Sequence, residues 1–198
     1  MWLIESAIDG WVRWRTRRLP VTPLDRVTDG ARVKIVGRLD AGESPLEAPI
    51  TGRACAAWSV EVQRAGAGWE TIVVEESARE FVLRDGSARP ALIRASRAHV
   101  VFDADSWSAP GQPSPRMRNF LARHRLPERR MLGEPILYRY VEGVLEPGEE
   151  ITVVGVARLE IDPSGSAVSY REPPMRALLD AAAAPLWILD GPARWRLE

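Results

Sequence analysis

Ala48-Pro49-Ile50-Thr51-Gly52-Arg53-Ala54-Cys55-Ala56-Ala57-Trp58-Ser59-Val60-Glu61-Val62-Gln63 begins as a turn and ends as a strand. Proline fixes φ and glycine permits positive φ, so Ala48 to Gly52 has the chemistry of a tight loop. From Trp58 the residues alternate apolar and polar, which predicts a half-buried strand. Ala65-Gly66-Ala67-Gly68 interrupts it, and Trp69 to Glu75 returns with Ile72 and Val74 assigned to one face. The pattern predicts a hairpin with a loose tip.

On the N-terminal side, Asp29-Gly30 is a turn and Arg32 to Leu39 a strand with Val33, Ile35 and Gly37 on one face. Pro147-Gly148-Glu149-Glu150 introduces a strand that looks alike, Ile151 to Leu159. The two read as a pseudo-repeat, each ending in a glycine where a strand bends or a neighbour comes close. Arg79 to Arg84 and Ala88 to Arg94 form a hairpin around Asp85-Gly86-Ser87, with Phe81 and Leu83 inward.

Ala98 to Phe102 is a short strand, and Asp103 to Pro115, rich in Pro, Ser, Asp and Gly, is a surface connection. Ser114 caps a helix that starts at Pro115 and carries Met117, Phe120, Leu121 and His124 at helical spacing before Pro127. Ile136 to Leu145 resumes the sheet with Tyr138 and Tyr140 on one face, and Ala167 to Tyr170 pairs after the Asp162-Pro163-Ser164-Gly165 turn. Pro173-Pro174 opens a final helix through Ala184, and Leu186 to Leu189 is a last strand that closes the sheet. The expected fold is mainly β, a single compact barrel- or sandwich-like domain over residues 21–198, with about nine or ten strands and two or three peripheral helices.

Composition narrows the function. Acidic and basic residues balance at 27 each, which argues against a nucleic-acid partner. Lys34 is the only lysine, and the excess of arginine is put down to genome composition. A single cysteine, Cys55, with His99 and His124 cannot form an internal disulfide or a cysteine-rich zinc site. No apolar run reaches the length of about 20 residues that a membrane span needs, and the charges in the first segment do not fit an ordinary signal peptide.

That first segment, residues 1–20, reads as an amphipathic helix in which Leu3, Ile4, Ile8, Trp11 and Val12 share a side. Either it packs on the domain or it lies on a membrane through Trp2, Trp11, Arg13, Trp14, Arg15, Arg17 and Arg18.

The order of Ala48-Pro49-Ile50-Thr51-Gly52-Arg53-Ala54-Cys55-Ala56-Ala57-Trp58, the Trp69 return, Glu80 to Gly86 and Glu142-Gly143-Val144-Leu145-Glu146-Pro147-Gly148 through Gly155 resembles the GIDE domain. It is also called the BAM ("beside a membrane") domain. The likeness runs over roughly Gly30 to Gly191. It implies kinship with mitochondrial RING ubiquitin ligases, in which this domain lies between two membrane spans, and with bacterial relatives that lack the RING. It implies no catalytic residue, metal or cofactor for the domain itself. A RING would need a series of Cys and His ligands that is missing here, so ubiquitin-ligase chemistry is not expected of this chain.

Other candidates read as structural. His99 and His124 sit in apolar patterns, Ser87 in a hairpin turn, and Cys55 among alanines as a small packing group. Asp103, Asp105 and Ser106 resemble the start of a calcium loop but lack its glycine and terminal glutamate. Arg53, Arg84, Arg94, Arg97 and the helix arginines could bind phosphate or lipid head groups if they converge, but most read as solvated faces, and Trp58, Trp69, Tyr138 and Tyr140 as core. The expectation is a non-enzymatic recognition module with an unknown protein partner, cytoplasmic or peripherally attached to a membrane. A hydrolase or transferase assembled from distant residues, or an OB-like nucleic-acid binder, are the alternatives.

Overall fold

The two look-alike strands pair with each other. In the computed structural model, which describes residues 16, 18–103, 107–111, 113–165, 173–182 and 184–191, β1 (Arg32–Asp40) lies antiparallel to β10 (Glu150–Ile161). Val33 faces Gly155 and Gly37 faces Ile151, so each strand sets its glycine against the other's first apolar residue. Both glycines mark close approaches: a Cβ on Gly37 would stand 2.6 Å from the Arg84 carbonyl oxygen, and one on Gly155 2.8 Å from Leu186 Cδ1.

Twelve strands are described, β1, β2 (Leu46–Glu47), β3 (Ala54–Cys55), β4 (Ala57–Ala65), β5 (Trp69–Ala78), β6 (Phe81–Arg84), β7 (Ala91–Arg94), β8 (His99–Val101), β9 (Tyr138–Leu145), β10, β11 (Met175–Asp180) and β12 (Trp187–Asp190). One α-helix joins them, α1 (Pro115–Arg123), along with a 3-10 turn at Leu24–Arg26. Within the span read as one β domain, the chain groups into two compact units.

The first unit comprises residues 1–44, 79–103 and 147–198. Its strands run in the order β1-β6-β7-β11-β10, and the β10–β1 pairing closes them into a five-stranded barrel. Numbered along the chain, the barrel strands follow 1-2-3-5-4 and return to 1, with the third and fifth (β7 and β11) parallel. That is the Greek-key connectivity of an OB-type barrel. Ile35, Leu83, Ile93, Ile151, Val153 and Leu179 are fully buried in this unit, and removing such residues from water drives the closure. Lys34 is also buried, its Nζ donating to the Leu19 carbonyl at 3.3 Å, and burial lowers its pKa.

Beyond the barrel, β12 pairs with β10 and, in parallel, with β8. It extends the sheet, while the closure expected of it is made by β1 and β10. The helix expected from Pro173 to Ala184 is instead β11, which pairs with β10 on one side and β7 on the other. Arg, Ala and Leu favour a helix locally, but two open strand edges and burial of Ala177, Leu178 and Leu179 override that preference. The strand expected at Ala167 to Tyr170 lies outside the described residues.

The second unit comprises residues 45–78 and 104–146, two excursions from the barrel chain. Its sheet has the order β5-β4-β9, all antiparallel, beside the small β2-β3 hairpin. Trp58, Val60 and Val62 of β4 meet Met117, Phe120 and Leu121 of α1 in one core. Ser114 caps α1 by accepting the Met117 N–H at 3.1 Å, with Pro115 in the first turn. The register slips at Val62/Gln63, where Val62 faces Val73 but Gln63 faces Thr71. Ile72 is thus an extra residue, a bulge that breaks the alternation. Ile72 and Val73 both pack on the core, and Val74, expected on one face with Ile72, is 60% exposed.

Candidate functional site

The quoted loop is held from beneath. On β9, Tyr138, Tyr140, Glu142 and Val144 share the parity that faces the core, so alternation carries an acidic side chain into an apolar interior. Glu142 is only 4% exposed. Its Oε1 accepts the Ile50 N–H at 2.9 Å and its Oε2 the Thr51 N–H at 3.0 Å. A buried acidic group is tolerated when its oxygens are satisfied in this way.

The loop also closes on itself, with the Ala48 N–H on the Arg53 carbonyl at 2.8 Å and the Gly52 N–H on the Ala48 carbonyl at 2.9 Å. Arg53 reaches Glu146 at 2.8 Å and Thr51 Oγ1 at 3.2 Å. Arg116 of α1 covers Gly52 so closely that a Cβ there would stand 2.6 Å from its guanidinium carbon, and it pairs with Glu47 at 2.5 Å.

Beside the loop lies a concavity of about 340 Å³, lined by Glu47, Ala48, Pro49, Trp58, Arg116, Asn119, Phe120 and Arg123. Trp58 and Phe120 are nearly buried, so its lining combines aromatic surface with arginines, an amide and one acid. Arg123 pairs with Glu75 at 3.0 Å, and the same carboxylate meets His124 Nε2 at 2.6 Å. His124, expected on the helix's apolar side, ends α1 against the Phe120 ring. Among the described residues no hydroxyl or thiol bonds to this acid–imidazole pair.

His99, in the apolar strand beside Val100 and Val101, is exposed and stacks on Trp187 at 4.4 Å. Trp58 and Tyr138 are core, and Tyr140 packs against it. Trp69 departs from the expectation of core packing. At 37% exposure it lies past the bulge, with the Arg139 guanidinium 4.4 Å from its ring and 4.6 Å from that of Trp107. Arg139 also donates two hydrogen bonds to Gln63 Oε1. Arg84 and Arg94 form exposed pairs with Asp40 and Glu80. Ser87 is held in its turn by the Asp85 carboxylate.

Asp105 and Ser106 lie outside the described residues, and among the described ones no His, Cys, Asp or Glu cluster is placed to hold a metal. Of the residues expected to touch a membrane, Trp2, Trp11, Arg13, Trp14, Arg15 and Arg17 also lie outside, while Arg18 is exposed. Among the described residues no helix is long and apolar enough to cross a membrane.

Cys55 is fully buried in the second unit's core, its thiol on the Leu46 carbonyl at 3.7 Å. Burial, with Glu142 nearby, pushes its pKa up to about 11. A thiol-specific reagent at pH 8 is therefore expected to leave it unmodified in the folded protein and to react promptly in denaturant. Because the folded-state pKa is raised, the contribution to stability is whole below the ordinary thiol value of 9.0 and is lost as pH rises through about 11.

A closed β barrel whose chain makes two excursions into an α/β unit, with a pinned loop and adjoining concavity, defines the class. The GIDE family model, described as E3 Ubiquitin ligase, matches residues 58–167. The match spans more than half of the chain, which belongs to the GIDE family. No curated protein and no solved structure matches it.

Proposed function

We propose that the chain is a non-enzymatic recognition module of the GIDE family, working at a membrane surface, that presents the Ala48–Arg53 loop and its concavity to a protein partner. One observation carries this. Both Glu142 oxygens are spent on fixing the loop backbone, an arrangement that preserves a shape and so lowers the ordering cost of binding. Arginine and aromatic groups beside such a loop are those that dominate protein interfaces.

The family description concerns ubiquitin transfer. A RING is a zinc-bound fold whose ligands are Cys and His, and these residues include one Cys and two His. We therefore assign these residues no ligase step of their own. A photo-crosslinking amino acid at Asn119, on the rim of the concavity, is expected to trap one discrete protein in host cells, and Arg116→Glu to abolish the adduct. A diffuse smear unchanged by Arg116→Glu, or ubiquitin discharge from a charged conjugating enzyme stimulated by the chain alone, would overturn the proposal. For the membrane clause, vesicle flotation of the full chain should show binding that weakens when Met1 to Leu19 are deleted.

The barrel connectivity favours a second reading, a nucleic-acid binder, because OB-type barrels bind oligonucleotides on their second and third strands. Those strands here are β6 and β7, whose one aromatic, Phe81, is buried, and whose arginines are paired with acids. Single-strand binders stack bases on exposed aromatics, which makes this the lesser reading. A salt-dependent shift with single-stranded DNA would restore it.

A further inference from the structure

Between α1 and β9 the chain makes a small hairpin that projects two apolar side chains. Arg129 bridges to Pro135, the Ile136 N–H donates to the Glu128 carbonyl at 2.9 Å, and the Arg130 N–H to the Glu134 carbonyl at 2.8 Å. A turn closes the tip, with the Gly133 N–H on the Arg130 carbonyl at 2.9 Å and Arg129 Nη1 on the Gly133 carbonyl at 2.8 Å. The two central residues of that turn are Met131 and Leu132, 105% and 92% exposed. Turns ordinarily carry Gly, Asn, Asp or Ser at such positions. Isolated exposed apolar residues need no explanation, but two neighbours fully in water on a braced tip do.

Charge around the tip is one-sided. Residues 115–135 contain six arginines against two glutamates, Glu128 and Glu134; Arg116 and Arg123 are offset by Glu47 and Glu75, which leaves Arg118, Arg125, Arg129 and Arg130 in a chain that is neutral as a whole. Arg118, Arg125 and Arg130 are exposed and make no ion pair among the described residues.

We propose that this hairpin is a lipid-insertion element: Met131 and Leu132 enter the acyl boundary of an anionic bilayer while the neighbouring arginines meet its phosphates. The shape favours lipid as the occupant. A convex tip of two side chains falls far short of the roughly 800 Å² per partner that a stable protein interface buries, whereas a fluid bilayer needs no matching pocket. Apolar insertion and attraction of cations to anionic lipid add together. The inference rests on the membrane clause of the proposed function and assigns it a site outside the N-terminal segment.

The test is flotation of the full chain with vesicles of phosphatidylcholine alone or mixed with phosphatidylglycerol. The native chain is expected to float with the mixed vesicles. Met131→Asp with Leu132→Asp should lower the partition coefficient at least about tenfold without moving the thermal melt, and Arg125→Glu with Arg130→Glu should remove the preference for phosphatidylglycerol. A fluorophore on Met131→Cys, which the buried Cys55 leaves as the accessible thiol, should shift to the blue on vesicle addition. Equal flotation of native chain and Met131→Asp, Leu132→Asp would overturn the hairpin's role and leave the membrane clause standing. No flotation of the native chain would overturn both.

Discussion

Glu142→Ala is expected to destabilise the second unit by about 2–4 kcal/mol. The side chain holds two loop N–H groups from inside an apolar core, and alanine removes both acceptors, leaving the N–H of buried Ile50 without a partner and that of exposed Thr51 to water. Leaving a donor unsatisfied costs more than the net worth of the bond that was lost. Glu142→Gln keeps the volume but offers one acceptor oxygen, with an amide N–H₂ set against the other backbone N–H. It should fall between native and alanine. Urea unfolding followed by circular dichroism reads the difference, and a Gln variant as unstable as Ala would show that volume is not what matters there.

Gly37→Ala carries the other large effect, about 3 kcal/mol, at the top of the range for overpacking. The added methyl would stand 2.6 Å from the carbonyl oxygen of Arg84 and 2.9 Å from its carbon. Both atoms are backbone, and Arg84 is paired through β6 with β1 itself, so relief requires the barrel wall to move. Gly155→Ala is the internal comparison. Its new methyl meets a Leu186 side-chain carbon at 2.8 Å, and a leucine rotamer can give way. The cost there should be about 1 kcal/mol. Thermal melts of the two variants side by side check the ordering, and equal losses would mean that the pseudo-repeat's two halves are confined alike.

Local chemistry made much of this legible in the sequence. The Trp58 to Gln63 alternation and the Ser114-Pro115 helix start each carry their signal within a few residues and form as their patterns imply, while the two strands expected to end in a glycine form but run on past it, to Asp40 and Ile161. What was not legible depends on partners far along the chain. Pro173 to Ala184 looks helical until β7 and β10 offer it edges to pair with. The barrel's closure is set by β1 and β10, whose likeness was visible but whose pairing was not. Ile72 gave no warning of a bulge, because either Ile72 or Val73 could have been the inward residue.

The candidate site divides in the same way. Its loop was found from proline, glycine and period, and the motif Glu142 to Gly155 was found by resemblance, but nothing local says that the first residue of one grips the backbone of the other. One signal was available: Glu142 is the single charged residue among Tyr138, Tyr140 and Val144 on its face of β9. The acid beside His124 lies 49 residues away and was invisible to spacing. Met131 and Leu132 between arginines and a Gly-Glu-Pro turn could have been flagged, since apolar residues in a turn oppose its usual chemistry.

The central claim is that Glu142 makes the Ala48–Arg53 loop a fixed surface. Amide hydrogen exchange at Ile50 and Thr51 tests it most directly. In the native chain both amides should exchange as slowly as those of β4, and in Glu142→Ala both should become fast while β4 stays protected. Exchange at Ile50 and Thr51 in the native chain as rapid as at the exposed Ala67 of the hairpin tip would contradict the claim.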